Sequence, residues 1–146
     1  MIAEAVASRS GASDENLSAH LQMIQGVIGR MGQNAFNAKT WAITVMAAVV
    51  ALGSFSSGLA DAAVVVLALF LFWSMDAYFF RQERLYRALY DAAVRGEAPL
   101  FSLDTSLYAG DVPNTLTIAL SRSVWLVHAI TILAVVLRAW KGSHGA

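Results

Sequence analysis

The sequence predicts an all-α integral membrane protein, with three transmembrane helices and helical extensions on the cytoplasmic side, and three observations carry that expectation. Of its 146 residues, 58% are hydrophobic and 14% charged, and the mean hydropathy is +0.57, more apolar than a water-soluble domain of this length sustains. The apolar residues gather into three stretches, each near the length that crosses roughly 30 Å of hydrocarbon at about 1.5 Å per residue. The basic residues are spread unevenly around those stretches.

The first span is read over residues 40–60, which carry no formal charge. The second runs over residues 59–80, interrupted by Asp61 at its start and Asp76 near its end, with Ser56, Ser57 and Gly58 supplying the turn between two antiparallel helices. The third covers residues 116–137, with Arg122 near its entrance and His128 in its middle. The N-terminus, MIAEAVASRSGASDE, lacks the basic start and apolar run of a secretory signal, so the first apolar segment is expected to stay in the chain.

Orientation follows from the charges. Arg9, Arg30 and Lys39 precede the first span, and Arg81, Arg84, Arg87, Arg95 and Arg122 lie between the second and third, against Arg138 and Lys141 at the other end. The positive-inside rule then places the N-terminus and the long connection in the cytoplasm and the C-terminus outside. Trp41, Trp73, Tyr78, Phe79, Trp125 and Trp140 include several aromatics at expected headgroup levels, where they belong to an interfacial belt or pack helices together.

Outside the bilayer, residues 1–12 are read as a flexible cytoplasmic tail. Ser13 with Asp14 and Glu15 reads as a helix start, a hydroxyl cap followed by acids where the helix dipole favours them. Leu17, Leu21, Ile24, Ile28 and Met31 recur at spacings of four and three and form one apolar stripe, which is either a packing face for the same chain or the seam of a homo-oligomer. Ala35, Ala38 and Ala42 continue the register with small side chains that permit close approach. Beyond the second span, RQERLYRALYDAAVRG keeps helical character up to Gly96, a fitting C-cap, with Glu83, Arg87, Asp91 and Arg95 as a ladder of alternating charge. Residues 13–96 therefore form an amphipathic helix plus a transmembrane hairpin with a cytoplasmic extension, 97–112 a linker holding Pro99, and 113–146 the last helix, begun by Pro113, with a short outer tail.

Two sets of polar residues fall inside the spans. A hairpin turning near residues 57 and 58 sets Lys39 level with Asp76, and the lysine stem can snorkel toward the acid, giving an intramembrane ion pair; the alternative is a proton- or ion-responsive group on an aqueous path. On the third span, Asn114, Thr117, Ser121, His128 and Thr131 fall on one helical face, a candidate pore stripe or a packing face whose hydroxyls bond neighbouring carbonyls.

Chemistry-bearing motifs are missing. The chain has no cysteine, its three histidines, His20, His128 and His144, are scattered, and neither a glycine-rich nucleotide loop nor a Gly-x-Ser-x-Gly elbow occurs. A formal net charge of zero advertises no nucleic-acid surface. The chain is read as no enzyme, with no cofactor, no metal and no nucleic-acid partner.

The stretches HLQMIQGVIGRMGQNAFNAKTWAITVMAAVVALGS and LFLFWSMDAYFFRQERLYRALYDAAVRG resemble the SLATT-type small bacterial membrane proteins, two-span effectors of nucleotide-signal anti-phage systems. The resemblance covers residues 17–96, and this chain departs from the pattern by its third span. It implies a bacterial inner-membrane effector, homo-oligomeric, that permeabilises the bilayer when a cytoplasmic signalling enzyme or nucleotide second messenger acts on it. Two other functions fit the sequence: a membrane anchor or scaffold that recruits a cytoplasmic enzyme, and a small transporter, which three spans without an internal repeat would build only by dimerising.

Overall fold

The computed structural model describes the backbone of residues 2–51 and 59–144, and side chains over residues 13–49, 51, 63–137 and 140. Its regular structure is all helical, with no strand among the described residues: α1 spans Ile2–Ala51, α2 Leu59–Val94, α3 Thr115–Ala119 and α4 Arg122–His144, and a 3₁₀ turn covers Ser106–Tyr108. The turn assigned to Ser56, Ser57 and Gly58 lies outside the described residues.

Helix α1 starts at Ile2, ahead of Ser13, so Ser13 lies inside the helix instead of capping it, and residues 2–12 carry helical backbone. The physical reason is composition: IAEAVA is built mostly of strong helix formers. At the other extension, α2 ends in a Schellman motif: Gly96 takes φ +74°, its N–H donates to Ala93 O at 3.0 Å, and the Glu97 N–H donates to Ala92 O at 2.9 Å.

The chain divides into two compact units, residues 1–31 with 82–113 and residues 32–81 with 114–146. In the first, Ile24 of α1 is buried against Leu89 and Ala93 of α2, and Leu21, Ile28, Tyr86, Tyr90, Ala98 and Tyr108 close the cluster. The stripe weighed as an oligomer seam is thus occupied, through Leu21, Ile24 and Ile28, by the chain's own α2, while Leu17 and Met31 are half-buried at its ends. Gln25 Nε2 donates to Tyr90 Oη at 3.1 Å beside this core. The opposite face of α1 is open: Gly26 and Gly29 are exposed, with nothing near the position a β-carbon would take.

Residues 97–113 are more than a tether, because Ala98 and Tyr108 pack into that core. Their backbone is held by local polar bonds: Ser102 Oγ accepts from the Asp104 N–H at 3.2 Å and Asp104 Oδ1 from the Ser106 N–H at 2.8 Å. The hydrogen bonds from Ser106 hold the Asp104 carboxyl below the usual carboxylate range. Of the alternating ladder, Arg87 pairs with Glu83 at 2.6 Å, whereas Arg95 turns to Glu97 at 2.8 Å, beyond the helix end.

In the second unit, Ala42, Leu69 and Val135 form the buried centre, with Met46, Val65, Val66, Phe72 and Ile132 around them. Ala35, Ala38 and Ala42 are all buried, which is where close helix approach needs small side chains. The third apolar stretch is not one helix. α3 stops at Ala119 and α4 begins at Arg122, where the Ser121 carbonyl accepts from the N–H groups of Val124 and Trp125 at 3.0 Å each. Trp73 of α2 donates its indole N–H to Ala119 O at 3.0 Å, so a carbonyl released at the end of α3 has a partner.

By length and composition one described helix, over Ala63–Val94, is long and apolar enough to cross a membrane, and Arg122–Leu137 is a shorter apolar helix. One face of that α2 stretch is open, with Val64, Leu67, Phe70, Leu71 and Met75 exposed. Ile43 of α1 and Leu126, Ile130, Leu133 and Val136 of α4 are exposed as well.

Candidate functional site

The most unusual chemistry in the second unit is a carboxylate buried among apolar helices. Asp76 has no solvent exposure, and its two oxygens serve two partners: Oδ1 accepts from Lys39 Nζ of α1 at 2.6 Å, and Oδ2 from His128 Nε2 of α4 at 3.2 Å. Three helices therefore meet at one acid. Burying an ion is tolerable only where its charge is matched and its lone pairs are used, and both conditions hold here.

His128 Nε2 and Asp76 Oδ2 stand within hydrogen-bond distance of each other, a ring nitrogen facing a carboxylate oxygen at 3.2 Å. The imidazole Nδ1 is buried without a hydrogen-bond partner. Lys39, Asp76 and His128 together form one polar cluster in this unit. The three differ in access: the Lys39 side chain is 23% exposed, against 0% for Asp76 and 1% for His128.

The cluster offers a metal little. One Asp76 oxygen is covered by an ammonium, which has no lone pair to give, and among the described residues no group of three or more metal-ligating side chains gathers.

The other sequence-derived candidates separate into distinct environments. Asn114 and Thr117 are exposed: Asn114 caps α3, its Oδ1 accepting from the Thr117 N–H and the Thr117 hydroxyl at 2.8 Å each. Ser121 sits at the break between the helices, with its hydroxyl buried and without a partner. His128 and Thr131 are buried on α4, and Thr131 Oγ1 donates back to the His128 carbonyl at 2.8 Å, with Val127 O at 3.2 Å. The five do not line one continuous helical face, because the break at Leu120 and Ser121 interrupts the register. Within one chain, His128 and Thr131 face neighbouring helices.

Two sites went unseen in the sequence. The Asp76–His128 contact had a signal: Arg81 follows Asp76 by five positions and Arg122 precedes His128 by six, so two charged residues near the ends of apolar stretches set the acid and the imidazole at matching depth. His20, in the first unit, had none. It is fully buried, its Nε2 lies 3.0 Å from Ser102 O, and its ring faces that of Phe101, centroids 6.0 Å apart. Phe101 adopts φ +61°, a left-handed conformation that costs a side-chain-bearing residue about 1–2 kcal/mol.

Of the aromatics read as a belt, Trp41, Tyr78, Trp125 and Trp140 are exposed, while Trp73 is half-buried on Ala119 and Phe79 half-buried against Tyr78. No family model, curated protein or solved structure matches the chain.

Proposed function

We propose that this chain is a multi-pass inner-membrane protein of three spans, provided by α1, α2 and the α3–α4 segment, which acts as a homo-oligomeric membrane-permeabilising effector under the control of a cytoplasmic partner or nucleotide signal. The observation that carries the membrane reading is the Lys39–Asp76–His128 cluster, to which α1, α2 and α4 each give one polar side chain while their outward faces carry exposed Ile43, Leu67, Leu71, Ile130 and Leu133. Polar groups inside and apolar groups outside is the distribution a bilayer selects, since lipid rewards the outer face and charges survive only where they meet. Where the apolar run of α4 is shorter than a full span, α3 and the residues at the break supply the remaining length.

The effector role rests on the resemblance of residues 17–96 to SLATT-type proteins. In this reading the resting chain is closed, because His128 and Thr131 are turned to neighbouring helices. Permeation then requires the second unit to rearrange, and the first unit, with its helix pair and folded linker, is where a signal acts. Induced expression with dye uptake and potassium efflux as readouts tests this: uptake that depends on the chain supports the effector, and intact membranes at full expression overturn it.

A specific observation favours the scaffold as second reading. Leu100, Phe101, Leu103 and Leu107, in the linker of the first unit, are exposed apolar side chains, with Leu107 76% open. Such residues suit the docking of a cytoplasmic protein. Membranes that stay intact while a co-expressed cytoplasmic enzyme moves to the membrane fraction would place this reading first.

A further inference from the structure

We propose that the groove between α1 and α2 in the second unit binds one glycerophospholipid of the cytoplasmic leaflet, with an acyl chain against Trp41, Phe72 and Met75 and a head oxygen on the amide of Asn37. The site rests on the membrane reading above and is independent of the effector role.

The two helices run antiparallel here, Lys39 meeting Asp76 and Ala42 meeting Leu69, and they leave a groove of about 300 Å³, open along one side. Its floor is Ala38, buried and too short to fill the space, and its walls are the rings of Trp41, Phe72 and Phe79 with the Met75 thioether. A helix, about 10 Å across with its side chains, is too wide for a space of this size. A single flexible chain entering from the open side fits, and aromatic rings with a thioether adapt to its shape.

The groove changes character along its length. Trp41 and Phe72, ring centroids 6.4 Å apart, stand at the end that continues into the uncharged residues 42–51 of α1. At the other end Asn34 and Asn37 bring carboxamides, on the side where Phe79 leads toward Arg81 on α2. Asn34 and Trp41 are separated by roughly 10 Å of helix, so whatever fills the groove must turn from polar to apolar within that distance. A phospholipid makes this change where its glycerol esters meet its acyl chains, and that interface is the depth at which tryptophan settles.

The polar end also has a sign. Asn37 Oδ1 accepts from Gln33 Nε2 at 2.9 Å, so its carbonyl is engaged within α1 and the hydrogens on Nδ2 are what it offers the groove. Donors call for acceptor oxygens, and a glycerophospholipid head supplies them in its phosphoryl and ester groups.

The test uses the full-length chain in dodecyl maltoside micelles, titrated with a phosphatidylglycerol carrying a diazirine on one acyl chain, irradiated and mapped by mass spectrometry. Adducts on Trp41, Phe72 and Met75 are expected to saturate, while those on the exposed Ile43, Leu67 and Ile130 rise in proportion to the lipid. Asn37→Leu is expected to lower groove labelling about fivefold, the loss of one hydrogen bond, whereas Asn37→Gln keeps an amide donor and most of the labelling. Asn37 is exposed, so neither variant disturbs the packed interior. A diacylglycerol with the same diazirine separates the two oxygen sources: labelling equal to that by phosphatidylglycerol assigns the bond to an ester, and weaker labelling assigns it to the phosphoryl group. Groove labelling that stays proportional to the lipid, or that Asn37→Leu leaves unchanged, overturns the site. Adducts missing from Ile43, Leu67 and Ile130 as well would remove the membrane reading beneath it.

Discussion

His128 Nε2 stands 3.2 Å from Asp76 Oδ2, joining α4 to α2 between residues 52 positions apart, in a unit that exposes Ile43, Leu67, Leu71, Ile130 and Leu133. The contact makes the acid the common attachment of three helices, and the energetic consequences of that arrangement can be measured one partner at a time.

For Lys39 and Asp76, either neutral substitution alone, Lys39→Met or Asp76→Leu, is expected to cost about 3–5 kcal/mol, because it strands a buried charge. Replacing both is expected to recover part of that loss. Unfolding in detergent across the double-mutant cycle measures the coupling, and additive losses would remove it.

His128→Leu takes the donor from Oδ2 and is expected to lower stability by about 1–3 kcal/mol. Thr131→Val should be much milder, since its hydroxyl bonds carbonyls of its own helix. Thermal melts in detergent, run beside a liposome leakage assay, should show the stability loss of His128→Leu before any change in leakage. A stable, normally assembled His128→Leu that leaks less than the parent would instead assign the imidazole to a permeation path.

Glycines at different places should respond with opposite signs. Gly26→Ala and Gly29→Ala fill open space on a helix and are each expected to stabilise by about 0.5–1 kcal/mol. Gly96→Ala forces a β-carbon into φ +74° and should destabilise by about 1 kcal/mol or more. Chemical unfolding of the three variants decides; destabilisation by Gly26→Ala or Gly29→Ala would mean that this face meets a second surface at close range.

Asp104 gives a pH dependence outside the apolar helices. Its carboxyl is held low in the folded chain by the Ser106 hydrogen bonds, so the turn's stabilisation is present above the ordinary carboxylate range and is lost as pH falls through the lowered folded value. The Ser106 amide resonance should move over that acidic window in the parent and stay fixed in Asp104→Asn.

The proposed three-span topology, with its eight-to-two placement of basic residues, is open to a direct test. A reporter active only outside the cytoplasm should be silent when fused at Ser106 and active at Ala146. Activity at Ser106 would reverse the orientation.

The helical class was legible because apolar runs and the scarcity of proline leave the chain few other choices, and Gly96 marked the end of α2 because left-handed backbone there suits glycine. The level match between Lys39 and Asp76 could be counted from the hairpin, since two helices joined by a tight turn share one rise per residue. The partner on α4 was marked only in depth, by Arg81 and Arg122, because a linker of unknown path erases the rotational register between α2 and α4. Two local failures have the same root. Ser13 carried a cap signal that the helix-forming residues before it overrode, and the stripe on residues 114–131 assumed a continuous helix that the break at Ser121 interrupts. His20 was illegible because its burial depends on where residues 97–113 fold back.

The indole of Trp73 closes the carbonyl of Ala119 beside that break. In the proposed three-span arrangement this joint would lie where freed backbone groups find no water, and a side chain held at the joint takes the place of solvent. Trp73 ties the joint between α3 and α4 to α2, so loss of the indole frees the Ala119 carbonyl and unfastens that joint from α2 in one step.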